Sequence, residues 1–213
     1  MNRETVVGKS NPSTGVRPLP VAVFLSGGGR TLANLIRHRD EKGLPIDVRL
    51  VIGSRPGLGG LRIAQQAGLR TLVVRQSDYQ NPADYQAAMF GPCREVEATH
   101  VVMAGFLKHV LIPQDYEGRV INIHPSLLPA FGGAGMYGQR VHEAALARGV
   151  QYSGCTVHYV DNVYDNGPIL VQKVCPVSPD DTPETLAAKV FELECEALPE
   201  ALRNIAAAIH RSG

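Results

Sequence analysis

In "VINIHPSLLPAF", residues 120–131, Asn122 and His124 stand two positions apart, just ahead of Pro125 and Pro129. Alternate residues of a strand share a face, so both side chains point the same way at the end of a short apolar strand. Pro125 removes a backbone donor and Pro129 fixes a second bend. The chain is therefore expected to leave the sheet there, with the strand end left open to ligands. Downstream, His158 lies in the apolar run "CTVHYV" and Asp165 in the polar turn "VYDNGP". Histidine takes or gives a proton near neutral pH, a carboxylate orients it, and an amide N–H can bond to a developing oxyanion. Together these groups suffice for acyl transfer to an amine by direct attack. Nothing supplies a protein nucleophile: there is no G-x-S-x-G elbow and no cysteine beside the histidine. Each residue taken singly also reads as an ordinary structural side chain.

A second chemical feature is "LSGGGRTLANL", residues 25–35, which sets three glycines between an apolar strand and a helix start. Such a turn presents backbone N–H groups and the positive end of a helix dipole to an anion. The competing reading is a plain tight turn. Arg30 and Thr31, which both donate, favour a phosphate held by Gly27, Gly28, Gly29, Arg30 and Thr31. A Walker loop is excluded because no lysine precedes Thr31. A dinucleotide fingerprint is excluded because Leu32 stands at its last glycine and the second strand ends in Gly53, Ser54 and Arg55. A monophosphate fits better than NAD.

The elements that must position these groups follow from hydrophobic patterning. Nearly continuous Val/Ile/Leu runs at 21–25, 47–53, 71–75, 100–105 and 119–123 alternate with helical spacing at 31–42, 61–68 and 82–97. This is a doubly wound α/β pattern with parallel strands. Two further runs, 153–160 and 168–177, are joined by a short polar turn, so they are expected to add an antiparallel pair and make the sheet mixed. A last helix is expected within 180–210, and Pro199 is expected to break or kink it. Residues 130–146 carry no element in this reading.

The chain has 213 residues, 44% hydrophobic and 19% charged, with a net charge of +1. That supports one domain over 21–210 behind a flexible polar extension at 1–20. Near-neutral charge gives no pull toward nucleic acid or a membrane surface. No run approaches the roughly 18 apolar residues of a membrane span. The four cysteines form no CxxC pair, so reduced thiols in the cytoplasm are expected, with no metal. Monomer and homodimer are equally open.

Three stretches, "VFLSGGGRTLANL", "INIHPSLLPAF" and "SGCTVHYVDNVYDNGPILVQ", resemble the folate-dependent formyltransferases, in particular those acting on glycinamide ribonucleotide in purine synthesis. The similarity runs from about Val21 to about Ala207. It implies a single Rossmann-like formyltransferase domain, with a mostly parallel mixed sheet flanked by helices. It also implies 10-formyltetrahydrofolate as co-substrate and glycinamide ribonucleotide as the amine. Asn122, His124 and Asp165 fall on the family's catalytic positions. Glu194 falls on an acidic residue that contacts the ribonucleotide, and the glycine loop on the phosphate site. Leu107, Lys108, His109 and Val110, with Asn122, fall on the folate side. His158 and His142 match further family histidines. The sequence departs from the family in the loop 28–31, at Lys108 where arginine is usual, and after "SLLP", where the chain is longer and keeps one histidine of a pair. An amino-sugar nucleotide as acceptor, or a non-catalytic nucleotide-binding module, are the alternatives. A tRNA-acting relative would need an extra basic C-terminal domain, and a hydrolase an N-terminal regulatory one.

Overall fold

The computed structural model describes residues 17–212. Seven strands form one sheet in the order β3-β2-β1-β4-β5-β6-β7. They are β1 (Leu19–Leu25), β2 (Ile46–Gly53), β3 (Thr71–Val73), β4 (His100–Met103), β5 (Val120–His124), β6 (Tyr152–Tyr159) and β7 (Ile169–Pro176). β1 to β5 pair in parallel, while β6 pairs antiparallel with both β5 and β7. The expected mixed sheet is what the chain builds. Leu19 and Pro20, placed by the sequence in the N-terminal extension, belong to β1 and pair with β2. Residues 1–16 of that expected extension lie outside the described residues.

Both faces of the sheet are covered, which is why its central strands read as unbroken apolar runs. In β1, Val21, Val23 and Leu25 enter one core, together with side chains of α1 (Arg30–Lys42), α2 (Gly59–Gln66), α4 (Gln139–Arg148) and α5 (Pro183–Ser212). Ala22 and Phe24 enter the other, against Tyr85, Met89, Phe90 and Cys93 of α3 (Pro82–Glu95). The order reverses between β1 and β4, and in open α/β sheets ligands sit at the carboxyl ends of strands flanking that point.

Two departures from the sequence reading have clear causes. The segment after "SLLP" contains a helix, α4, that the sequence reading assigned to a loop. Its buried Val141 and Ala145 stand at i, i+4, and Gly149 stops it in the left-handed region at φ 72°. Pro199 does not end the last helix, since α5 runs through it. Proline leaves the carbonyl four residues back without its helical donor. That carbonyl, Cys195 O, instead accepts from Asn34 Nδ2 of α1 at 2.8 Å. A neighbouring helix therefore supplies what the proline removes.

Candidate active site

A cavity of about 660 Å³ opens at the carboxyl end of the sheet. Its lining includes every residue singled out from the sequence: the glycine loop 27–31, residues 107–110, Asn122, His124, His142, His158, Asp165 and Glu194. The volume lies within the usual 300–1,000 Å³ of small-molecule sites. Chain segments far apart in sequence meet here because β1, β4, β5 and β6 all end or begin at this edge.

The phosphate-type loop is set by glycine. Gly29 is the N-cap of α1 with φ 85°, a left-handed conformation. A Cβ on it would overlap Gly60 Cα at the start of α2, so the loop nests backbone to backbone against a second glycine turn. Arg30 follows, its guanidinium 4.0 Å from the centroid of the Phe191 ring of α5. The stacking holds the cation at the cavity wall. Glu194, one helical turn further along α5, lines the same wall. Burial pushes its carboxyl up to about 7, against the opposing pull of Arg30.

That shift has a stability consequence. From its ordinary value of 4.5 to about 7, the folded chain holds a proton that the unfolded chain has released. Stability therefore falls as pH rises through this window and stays lower above it. Glu194→Gln is expected to raise thermal stability at pH 8 by about 1–3 kcal/mol, with the gain vanishing below about pH 4.5. Thermal unfolding of both proteins at the two pH values checks it; equal gains at both would refute the assignment.

β5 sends Ile121 and Ile123 into the core and leaves Asn122 and His124 at its cavity end. His124 is 4% exposed. Its Nδ1 lies 3.5 Å from Asp165 Oδ1, and its Nε2 lies 2.9 Å from Phe131 O. A carbonyl only accepts, so Nε2 carries a proton and donates to Phe131 O, while the Asp165 carboxylate faces the other ring nitrogen and orients the ring. Asp165 has φ 52° and its Oδ2 accepts the Gly133 N–H at 2.9 Å.

Phe131 and Gly133 belong to the segment expected to swing away and leave the strand end open. Instead it returns across the histidine. The turn is pinned from below: Thr156 Oγ1 donates to Ser126 O at 2.7 Å and accepts from Leu128 N at 3.0 Å. Gln172 Nε2 donates to Leu128 O at 3.0 Å. Sequence reasoning missed these two backbone groups because neither is carried by a side chain. It also missed Phe191, Gln139 and Glu184, whose signal in the sequence is nil without the packing of α4 on α5.

The remaining wall joins two loops. Leu107 N donates to Ser26 Oγ at 3.1 Å, and Ile112 N to Asn162 Oδ1 at 2.8 Å, tying the loop after β4 to the β1 end and to the turn holding Asp165. The His109 and Tyr164 rings meet at a tilt of 49° with centroids 4.9 Å apart. His142, on α4, is 4% exposed with no partner for Nδ1. Burial and the adjacent His124 both hold its pKa down. Among the described residues no cluster of His, Cys, Asp or Glu is arranged to hold a metal ion, and no helix is long and apolar enough to cross a membrane.

A doubly wound sheet with an amide, a histidine and a carboxylate at its switch-point edge defines a class, and comparison identifies it. Residues 19–202 match the formyl transferase family, and the chain belongs to that family. Among its relatives, the chloroplastic phosphoribosylglycinamide formyltransferase of Vigna unguiculata is 38% identical over 183 residues, 84% of this chain. The chain spans only 58% of that plant protein's own length. The phosphoribosylglycinamide formyltransferase of Bacillus subtilis is 31% identical over 86% of this chain and 93% of its own. The crystal structure of glycinamide ribonucleotide transformylase 1 from Symbiobacterium toebii superposes with a TM-score of 0.84 at 33% identity, over 90% of this chain and 89% of that one.

Proposed function

We propose that this chain is a phosphoribosylglycinamide formyltransferase, carrying a formyl group from 10-formyltetrahydrofolate to the amine of glycinamide ribonucleotide in de novo purine (IMP) biosynthesis. The observation that carries this reading is the convergence of Asn122, His124 and Asp165 with the Gly27–Thr31 loop in one cavity. The names of the relatives point the same way.

In this reading the ribonucleotide phosphate lies on the α1 N-terminus and Arg30, and Glu194 accepts from its hydroxyls. The folate lies along residues 107–110 and the Asp165 turn. The amine nitrogen attacks the formyl carbon. Negative charge then grows on the formyl oxygen, where the Asn122 amide N–H and the His124 imidazolium stabilise it. The new C–N bond forms, the bond from the formyl carbon to folate N10 breaks, and the proton lost by the amine ends on that nitrogen. His124 manages this proton and Asp165 keeps it charged. The returning segment 131–133 shields the site from water, which would otherwise compete for the formyl group.

The test is turnover. Glycinamide ribonucleotide and 10-formyltetrahydrofolate should yield tetrahydrofolate in step with formylated ribonucleotide. Turnover only with an amino-sugar nucleotide would overturn the purine assignment, and binding without turnover would make the chain a non-catalytic module. Arg30→Ala is expected to raise KM for the ribonucleotide about 10- to 100-fold, the loss of one charge-assisted hydrogen bond of about 1.5–3 kcal/mol. KM for the folate should stay unchanged; a matched rise in both would place Arg30 elsewhere.

A further inference from the structure

Asn122 and His158 are direct partners across the β5–β6 ladder, and their side chains meet with Asn122 Nδ2 3.2 Å from His158 Nε2. The other ring nitrogen, Nδ1, lies 2.8 Å from Tyr159 O. Because a carbonyl only accepts, that nitrogen must carry a proton. The ring is 1% exposed. Burial lowers its pKa, against the upward pull of the Tyr159 carbonyl, Asp165 and Asp161 and with the help of His124. The ring is therefore neutral and Nε2 is a lone pair. The two ends of a primary amide have the same shape, and the chemistry of Nε2 decides between them: only the NH₂ end can face it.

Asp165 Oδ1 stands 3.7 Å from His158 Nε2 and 3.5 Å from His124 Nδ1. One carboxylate oxygen thus sits between two imidazoles. A neutral His158 has no proton to offer it, which leaves Asp165 to His124.

We propose that His158 is a positioning residue. It spends one Asn122 amide hydrogen on its own Nε2, turns the second into the cavity, and reserves Asp165 for His124. A proton on Nε2 would undo both: it would rotate the Asn122 oxygen toward the ring and draw the carboxylate away from His124. The inference rests on the formyl-transfer reading for its kinetic consequences, although the tautomer itself does not.

His158→Leu keeps the apolar fill and removes the acceptor. It is expected to lower kcat about 10-fold or more, with both KM values within about 3-fold of wild type, since the loss falls on oxyanion stabilisation. His158→Gln, whose Oε1 can accept from the amide, should recover most of that loss. Asn122→Ala should lose about 100-fold, and adding His158→Leu to it should cost nothing further. Multiplying losses, or a glutamine variant as poor as the leucine one, would overturn the proposal. Nitrogen-15 NMR of the wild-type protein should show His158 protonated at Nδ1 and bare at Nε2 at pH 7, and the reverse pattern would overturn it too. That measurement decides the tautomer even if His158→Leu fails to fold. Loss of turnover by the wild-type protein with the intended pair would count against the proposed function alone.

Discussion

Replacing Asp165 by asparagine is expected to lower kcat by about 10³- to 10⁴-fold while the protein stays folded, as when the orienting carboxylate of an acid–base histidine is neutralised. The geometry explains why so small a change should cost so much. Asp165 Oδ2 accepts the Gly133 N–H, so the asparagine oxygen would keep that place and its NH₂ would turn toward His124 Nδ1. Nε2 already donates to Phe131 O. The ring would then have a donor on one side and an acceptor on the other, which locks it neutral. A neutral His124 cannot stabilise an oxyanion by charge. Asparagine tolerates the left-handed backbone at φ 52°, so the turn should survive. Steady-state kinetics with a thermal-unfolding control would check this. A variant within about ten-fold of wild type would remove the imidazolium from the mechanism.

Gly154→Ala is expected to cost about 3–5 kcal/mol of stability, among the larger effects a single methyl can have. Gly154 lies in β6 opposite Val174 of β7. A Cβ there would overlap Lys173 O and stand 2.8 Å from Leu127 Cδ2. The first obstacle is backbone of the paired strand, which cannot rotate aside. The second belongs to the turn that Thr156 and Gln172 pin beneath the site. Urea unfolding would show the loss as a lower midpoint, and a stability within about 1 kcal/mol of wild type would mean that the strand pair yields more easily than sheet packing suggests.

Much of this was legible in the chain. Unbroken Val/Ile runs announced parallel strands covered on both faces, and the two runs around "CTVHYV" announced the antiparallel addition. Asn122, His124 and the glycine loop were legible because strand periodicity and turn chemistry act over a few residues. What stayed hidden depends on distant contacts or on backbone. Asn34 reaches across 161 residues to the Cys195 carbonyl that Pro199 leaves open, so no local rule could foresee an unbroken α5. α4 was missed because its apolar spacing is short and sits between glycines. Phe131 O and Gly133 N–H carry no side-chain signature at all, yet they fix the proton on His124 and the orientation of Asp165. The charge balance of Glu194 depends on burial that only packing creates.

The strand pairing of β5 with β6 sets Asn122 against His158 and His124 against Thr156. A slip of one residue in this pairing would send both β5 side chains to the opposite face of the sheet. Such a molecule could still be compact and rich in secondary structure, and it would be wholly inactive. Specific activity after refolding is thus a head count of correctly paired molecules, a finer gauge of the native state here than any spectrum of helix and strand content.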